Sequence, residues 1–187
     1  MPLLVMISGW ARVGKDAAAS LMTDEMGFRR LAFADALKEV VAKTTGLPIE
    51  AFHLATKDAA LEKPCKAYPS AKTPRDLLLQ HAAAARAKNP DIYAAQVAEK
   101  MIETETSGNR FVISDWRYKR EYDYLRSEFP DYQILRIRIC RAGITANPDP
   151  SEHDLDTETM DVTLQNNGGI SDLRDLLKAA LRTALHG

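Results

Sequence analysis

The sequence predicts an α/β fold, a central parallel five-stranded sheet flanked by helices, and three observations carry that prediction. Five short apolar runs, near residues 3–7, 28–33, 111–115, 133–139 and 162–164, alternate with stretches that read as helices. Polar and charged residues cluster just after several of these runs, where a parallel sheet places its ligands. The chain has 187 residues, 45% of them apolar and 27% charged, enough to bury one core and too apolar for a disordered chain. It therefore reads as a single domain over residues 1–187.

The elements follow in order. Leu3–Ile7 is the first strand, and a helix runs from Ala17 to Met22 until Gly27 ends it. Phe28–Phe33 reads as a second strand and Ala34–Val41 as a helix, with Asp35 suited to its N-cap and Gly46-Leu47-Pro48 as its stop. From Pro48 to Pro74 the pattern loosens into prolines and lysines without a sustained period, the mark of a mobile surface insertion. Thr73 and Pro74 then supply an N-cap and a first helical position for a helix to Ala87. Asn89-Pro90-Asp91 breaks it, and a further helix covers about Ile92 to Thr104. Phe111–Asp115 is a buried strand ending in an acid, followed by a helix to about Phe129. Gln133–Ile139 is a strand with arginines on one alternating face. Arg141 to Asp161 has no apolar period, Val162–Leu164 is a last short strand, and Ser171 caps a closing amphipathic helix to His186.

Composition bounds the partners. A formal charge of −1 denies the chain the general basic field of a protein that holds nucleic acid by electrostatics alone. Cys65 and Cys140 stand far apart with no CxxC or Cys/His pattern, so they read as free thiols in a reducing compartment rather than as zinc ligands. The N-terminal apolar run is too short for a signal peptide and no run is long enough to span a membrane. The expected location is the cytoplasm, and the expected state a monomer or homodimer.

The sharpest local signal is Gly9-Trp10-Ala11-Arg12-Val13-Gly14-Lys15-Asp16, set between the first strand and the first helix. Strand, glycine loop, lysine and helix in this order form a phosphate-binding P-loop. Gly9 and Gly14 let the backbone curl so that the amides of residues such as Arg12 and Val13 converge on one anion. The helix N-terminus adds its positive dipole end, and Lys15 adds a mobile cation. Asp16 stands where a Ser or Thr usually offers a hydroxyl to Mg²⁺; a carboxylate is also a hard oxygen ligand, so metal binding survives the change. The expected ligands are a nucleoside triphosphate and Mg²⁺.

Other polar groups fall at the same ends of the strands: Asp35 and Lys38 after the second, Asp115 and Arg117 after the third. Asp115 closes an apolar strand as a Walker B acid does, which makes it a metal candidate with Asp16; a helix-capping acid is the plainer alternative. Arg117 is either a phosphate clamp or a surface arginine.

Taken in order, GxxxxGKD, Phe33-Ala34-Asp35-Ala36-Leu37-Lys38, and Thr73-Pro74-Arg75 with Leu78 and Gln80 resemble the bacteriophage deoxynucleotide monophosphate kinases. Ser114-Asp115-Trp116-Arg117, Ser151-Glu152 with Leu155-Asp156, and Asn166-Asn167-Gly168 with Leu173 continue the series. The likeness spans nearly the whole chain. It implies a nucleoside-monophosphate-kinase-like P-loop fold, with an acceptor-binding insertion over about 48–90 and a lid over about 141–160. By the same resemblance ATP sits on the P-loop and Arg141 opens a lid over the phosphates; with Lys15, Asp35, Asp115 and Arg117 from the strand ends it completes the expected catalytic set. Arg75, Gln80, Arg86, Asp35 and Lys38 form the acceptor side, and Asn166 and Asn167 lie near the adenine. A phage-encoded chain would act in the host cytoplasm.

One stretch departs from that family. Where a Gly-Thr-Glu-like step and a later Trp are expected, the chain has His81-Ala82-Ala83-Ala84-Ala85-Arg86 and Tyr93. A related branch of phage kinases phosphorylates the hydroxymethyl group of 5-hydroxymethyluracil in DNA. Under that alternative Asp35 is a general base, DNA is the substrate, and Arg29, Arg30, Arg117, Lys119 and Arg120 line a groove for a strand. The same arginines and lysine also fit a solvated surface. A third reading is an ATP-binding switch with no acceptor.

Overall fold

The computed structural model describes residues 2–53, 56–104, 109–146 and 150–186. Residues 54–55 of the expected insertion and 147–149 of the expected lid lie outside the described residues.

Five strands build one parallel sheet: β1 (Leu3–Ser8), β2 (Arg29–Leu31), β3 (Arg110–Ile113), β4 (Gln133–Cys140) and β5 (Val162–Gln165). Their spatial order is β2-β3-β1-β4-β5, so β1 is central and the chain crosses over on both sides of it. Leu3 pairs with Arg110 on one side and Gln133 on the other, and Met6 with Ile113 and Arg136. All six residues of β1 are buried. A parallel strand covered on both faces needs such a continuous apolar run, because successive side chains point to opposite faces. Leu3, Val5 and Ile7 share a core with Leu135, Ile137 and Ile139 of β4, with Ala18 and Met22 of helix α1 (Lys15–Met26), and with Leu173, Leu177 and Leu181 of helix α6 (Ile170–His186). The arginines of β4, Arg136 and Arg138, alternate with the buried positions as the period of two requires.

The chain divides into two compact units, residues 1–32 with 97–187, and residues 33–96. The first holds the whole sheet. The second contains α2 (Phe33–Thr45), a 3₁₀ turn over Ile49–Phe52, α3 (Pro74–Lys88) and the first residues of α4 (Ile92–Glu103). Its interior includes Leu37, Val41, Phe52, Leu77 and Ala82. Helix α3 starts as its sequence dictates: Thr73 Oγ1 accepts from the Asp76 amide, the Asp76 carboxylate accepts from the Thr73 amide, and Pro74 takes the first position. Helix α5 (Lys119–Glu128) follows β3.

Three expected boundaries are corrected. The second strand is only Arg29–Leu31, an edge strand with both arginines exposed. Helix α2 begins at Phe33, so Asp35 lies in its first turn and is not its N-cap; there a carboxylate still meets the positive end of the helix dipole. Ser171 lies inside α6 and so is not its N-cap, and the Asp172 carboxylate, on the third residue of the helix, reaches back to accept from the Gly169 amide at 2.7 Å. Cys65 and Cys140 are free thiols. Among the described residues no helix is long and apolar enough to cross a membrane.

Candidate phosphate-binding site

The loop between β1 and α1 has the backbone that its glycines make possible. Gly9 has φ 136° and Gly14 has φ 107°, both on the side of φ that favours glycine, and Arg12 between them adopts a left-handed φ of 68°. Space demands glycine at both positions as well. A β-carbon on Gly9 would collide with the Ile139 carbonyl of β4, and one on Gly14 with the side-chain amide of Asn166. Lys15 opens α1 and turns back over the loop, donating to the carbonyl oxygens of Gly9 at 2.6 Å and Trp10 at 2.8 Å.

The charges around this loop are concentrated. Burial holds the Lys15 ammonium below the ordinary lysine pKa and the neighbouring Arg117 guanidinium pushes the same way, while the carboxylates of Glu152, Asp16 and Asp115 oppose them. Two cations that repel each other beside a curled, amide-bearing loop favour an anion between them. Ser114, buried at the end of β3, donates its hydroxyl to Asp16 Oδ1 at 3.3 Å, which brings the Asp16 carboxylate next to the strand end from which Asp115 follows. Two acids suit Mg²⁺, because that ion keeps waters and takes its remaining ligands from phosphates. Among the described residues there is no group of three or more Asp, Glu, His or Cys that could hold a metal on its own.

A cavity of about 240 Å³ adjoins the loop, and Trp10, Arg117, Arg138, Arg141, Glu152 and Leu155 are among its lining residues. Arg117 donates to Ser151 Oγ at 3.1 Å and to Glu152 Oε1, and Glu152 Oε2 accepts from the Ala11 amide at 3.0 Å. Arg138 reaches the Leu155 carbonyl. Arg138 and Glu152 were not among the expected site residues. The alternation of arginines in β4 was a signal for the first; Glu152 stands in the motif series but its place at Ala11, 141 positions away, has no local signature.

Asn166 and Asn167 sit at the end of β5. Asn166 is buried, and its side-chain amide donates to the Val13 carbonyl at 2.8 Å, so it shapes the loop from beneath. Asn167 Oδ1 accepts from the Ala142 amide at 2.8 Å and ties β5 to the turn after Arg141.

The five acceptor-side candidates lie in the second unit. Lys38 bonds Asp35 at 3.2 Å one helical turn away. Arg75 forms a two-pronged pair with Asp58, whose carboxyl is held below the usual carboxylate range by that hydrogen bond. Gln80 accepts from Ser70 at 3.2 Å, and the Arg86 guanidinium stands 4.9 Å from the centre of the Tyr93 ring. His81, in the stretch that departs from the family, pairs with the Tyr68 hydroxyl at 2.6 Å. Desolvation lowers the His81 pKa.

No protein-family model and no curated protein sequence matches the chain. Solved structures do match its fold. A sugar kinase from Janibacter sp. HTCC2649 is 16% identical with a TM-score of 0.54, over 97% of this chain and 95% of that one. The APS kinase of Mycobacterium tuberculosis, in complex with AMPPNP and APS, is 9% identical with a TM-score of 0.53, over 97% and 98% of the two chains. Dephospho-CoA kinase from Campylobacter jejuni is 12% identical with a TM-score of 0.53, over 97% and 96%. The fold is that of the P-loop kinases.

Proposed function

We propose that the protein is an ATP-dependent phosphotransferase that moves the γ-phosphate of ATP to a deoxynucleotide acceptor, and that the acceptor is a free deoxynucleoside monophosphate. The observation that carries this reading is the curled loop from Gly9 to Gly14 with Lys15 folded over it, beside Arg117 and the acids Asp16 and Asp115. The neighbouring fold of an APS kinase seen with AMPPNP supports ATP as donor.

Lys15 leaves the Gly9 and Trp10 carbonyls for the outer phosphates of the donor, and the amides at the start of α1 hold the phosphates from below. Arg117 meets the charge that spreads over the transferred group. Asp16 and Asp115 would hold Mg²⁺, directly or through water; when bound, the ion neutralises phosphate charge. Arg75, with Gln80, Lys38 and Arg86, orients the acceptor. A monophosphate arrives ionised, so it needs positioning and charge neutralisation rather than a base. Arg141 and the segment after it cover the phosphates and exclude water.

Two observations favour the free nucleotide over a hydroxymethyl group in DNA. Lys119, needed for a basic groove, is bound to Asp123 at 3.2 Å and Glu158 at 3.5 Å, and Arg29 is bound to the Thr104 carbonyl.

The test offers γ-labelled ATP with each of the four deoxynucleoside monophosphates and, separately, with DNA containing 5-hydroxymethyluracil, using wild type and Asp35→Asn. The expected result is label in a deoxynucleoside diphosphate, with Asp35→Asn reduced less than about tenfold, since it loses orientation and not proton transfer, which alone contributes 10²–10⁴-fold. Label retained in DNA, with Asp35→Asn nearly inactive, would replace this reading with the DNA-kinase one.

A further inference from the structure

We infer that Glu152 is a resident surrogate anion of the phosphate site: its carboxylate makes bonds that a donor phosphate oxygen would make, and the donor displaces it on binding. The inference rests on the reading of the loop as a nucleotide site and adds a specific exchange to it.

The geometry is unusual for a glutamate. Its side chain is only 5% exposed. One oxygen accepts from the Ala11 amide, inside the phosphate loop, at 3.0 Å, and the other accepts from the Arg117 guanidinium. A buried carboxylate persists only where charge and hydrogen bonds compensate its lost hydration. Here the compensation comes from a loop amide and a cation assigned above to phosphate. The Lys15 ammonium also feels this carboxylate, which opposes the fall in its pKa. The bonds to Glu152 thus satisfy two donors of the proposed site with an acidic group of the chain itself.

Carboxylate and phosphate oxygens are alike as acceptors, and both take charge-assisted bonds from guanidinium and amide donors. The two cannot occupy the same donors together. Binding therefore exchanges one anion for another, and Arg117 passes from Glu152 to the nucleotide. Glu152 closes the short turn Pro150–Glu152, and the same segment is tied to the sheet side by Asp154 accepting from the Lys119 amide at 2.8 Å and by Arg138 at the Leu155 carbonyl. These bonds keep the segment in place while the carboxylate swings away. The device favours ligands carrying enough negative charge to outcompete one carboxylate, which gives a triphosphate an advantage over a singly charged anion.

The test is a titration of wild type, Glu152→Gln and Glu152→Ala with ATP in EDTA, so that metal coordination plays no part. Trp10 and Trp116, the chain's two tryptophans, both line the cavity and supply an intrinsic fluorescence signal. Circular dichroism and thermal melting establish that each variant is folded, and the alanine variant serves if the glutamine variant is not. Removal of the competing charge is expected to tighten ATP binding by on the order of tenfold, the effect of losing one charge-assisted bond from the free protein. Unchanged or weaker binding in a folded variant would overturn the inference and make Glu152 a tie that holds the site together. A wild-type protein that binds no ATP at all would instead remove the proposed function, and this inference with it.

Discussion

Lys15→Ala is expected to lose on the order of 10²–10³ in phosphoryl-transfer rate while remaining folded, because one preorganised electrostatic contact to the transferring group disappears. The folded chain should tolerate the change. The Lys15 ammonium bonds two carbonyl oxygens at the loop but is half-buried, and burial with Arg117 lowers its pKa. Between that lowered pKa and the ordinary lysine value near 10.4 the unfolded chain binds more protons than the folded one, so wild-type stability should rise with pH across that interval. Lys15→Ala should lack this rise. Paired measurements of turnover and of melting temperature against pH check both statements. Wild-type turnover in the variant would remove Lys15 from the chemistry.

Gly9→Ala is expected to damage the loop itself. At φ 136° an alanine is strained by about 1–3 kcal/mol on backbone grounds alone. Its β-carbon would also press on the Ile139 carbonyl, in a strand paired with both β1 and β5 and therefore unable to yield without cost. Gly46→Ala is the matched control, since its φ is also positive at 73° but no atom lies within 4 Å of the added carbon. Gly9→Ala should lower the melting temperature by several degrees more than the control and abolish ATP binding. Equal effects in the two variants would show that the close approach to β4 is unimportant.

What could be read from the sequence depended on how local the cause was. The run from Gly9 to Lys15 encodes its own geometry: the positive φ values fall on its glycines, with Arg12 as the one exception, and the lysine follows at the helix start. Thr73, Pro74 and Asp76 likewise specify a helix start within four residues. The second strand was overextended because Phe28 and Ala32 are buried for packing reasons outside the strand ladder, which pairs only Arg29–Leu31 with β3. A cap at Asp35 falls three residues past Ala32, the position before the helix, for a similar reason: the apolar Phe33 opens the helix, and capping preference is the weaker guide. Glu152 and Arg138 illustrate the opposite limit. Their partners lie at Ala11, Arg117 and Leu155, and no periodicity within a segment announces a bond across 141 positions. Asn166 was legible as a residue of the site by resemblance, while its bond to the Val13 carbonyl became visible only once β5 was set beside β4.

In the proposed reaction this loop and its charges transfer a phosphoryl group to an acceptor instead of merely holding a nucleotide. Phosphorus NMR of the protein with Mg²⁺, ATP and an equimolar mixture of the four deoxynucleoside monophosphates tests it most directly. ADP and the β-phosphate resonance of a deoxynucleoside diphosphate are expected to grow together, and ATP is expected to be stable when the monophosphates are omitted. ATP lost to inorganic phosphate at the same rate with or without the monophosphates, or ATP left intact in their presence, would contradict it.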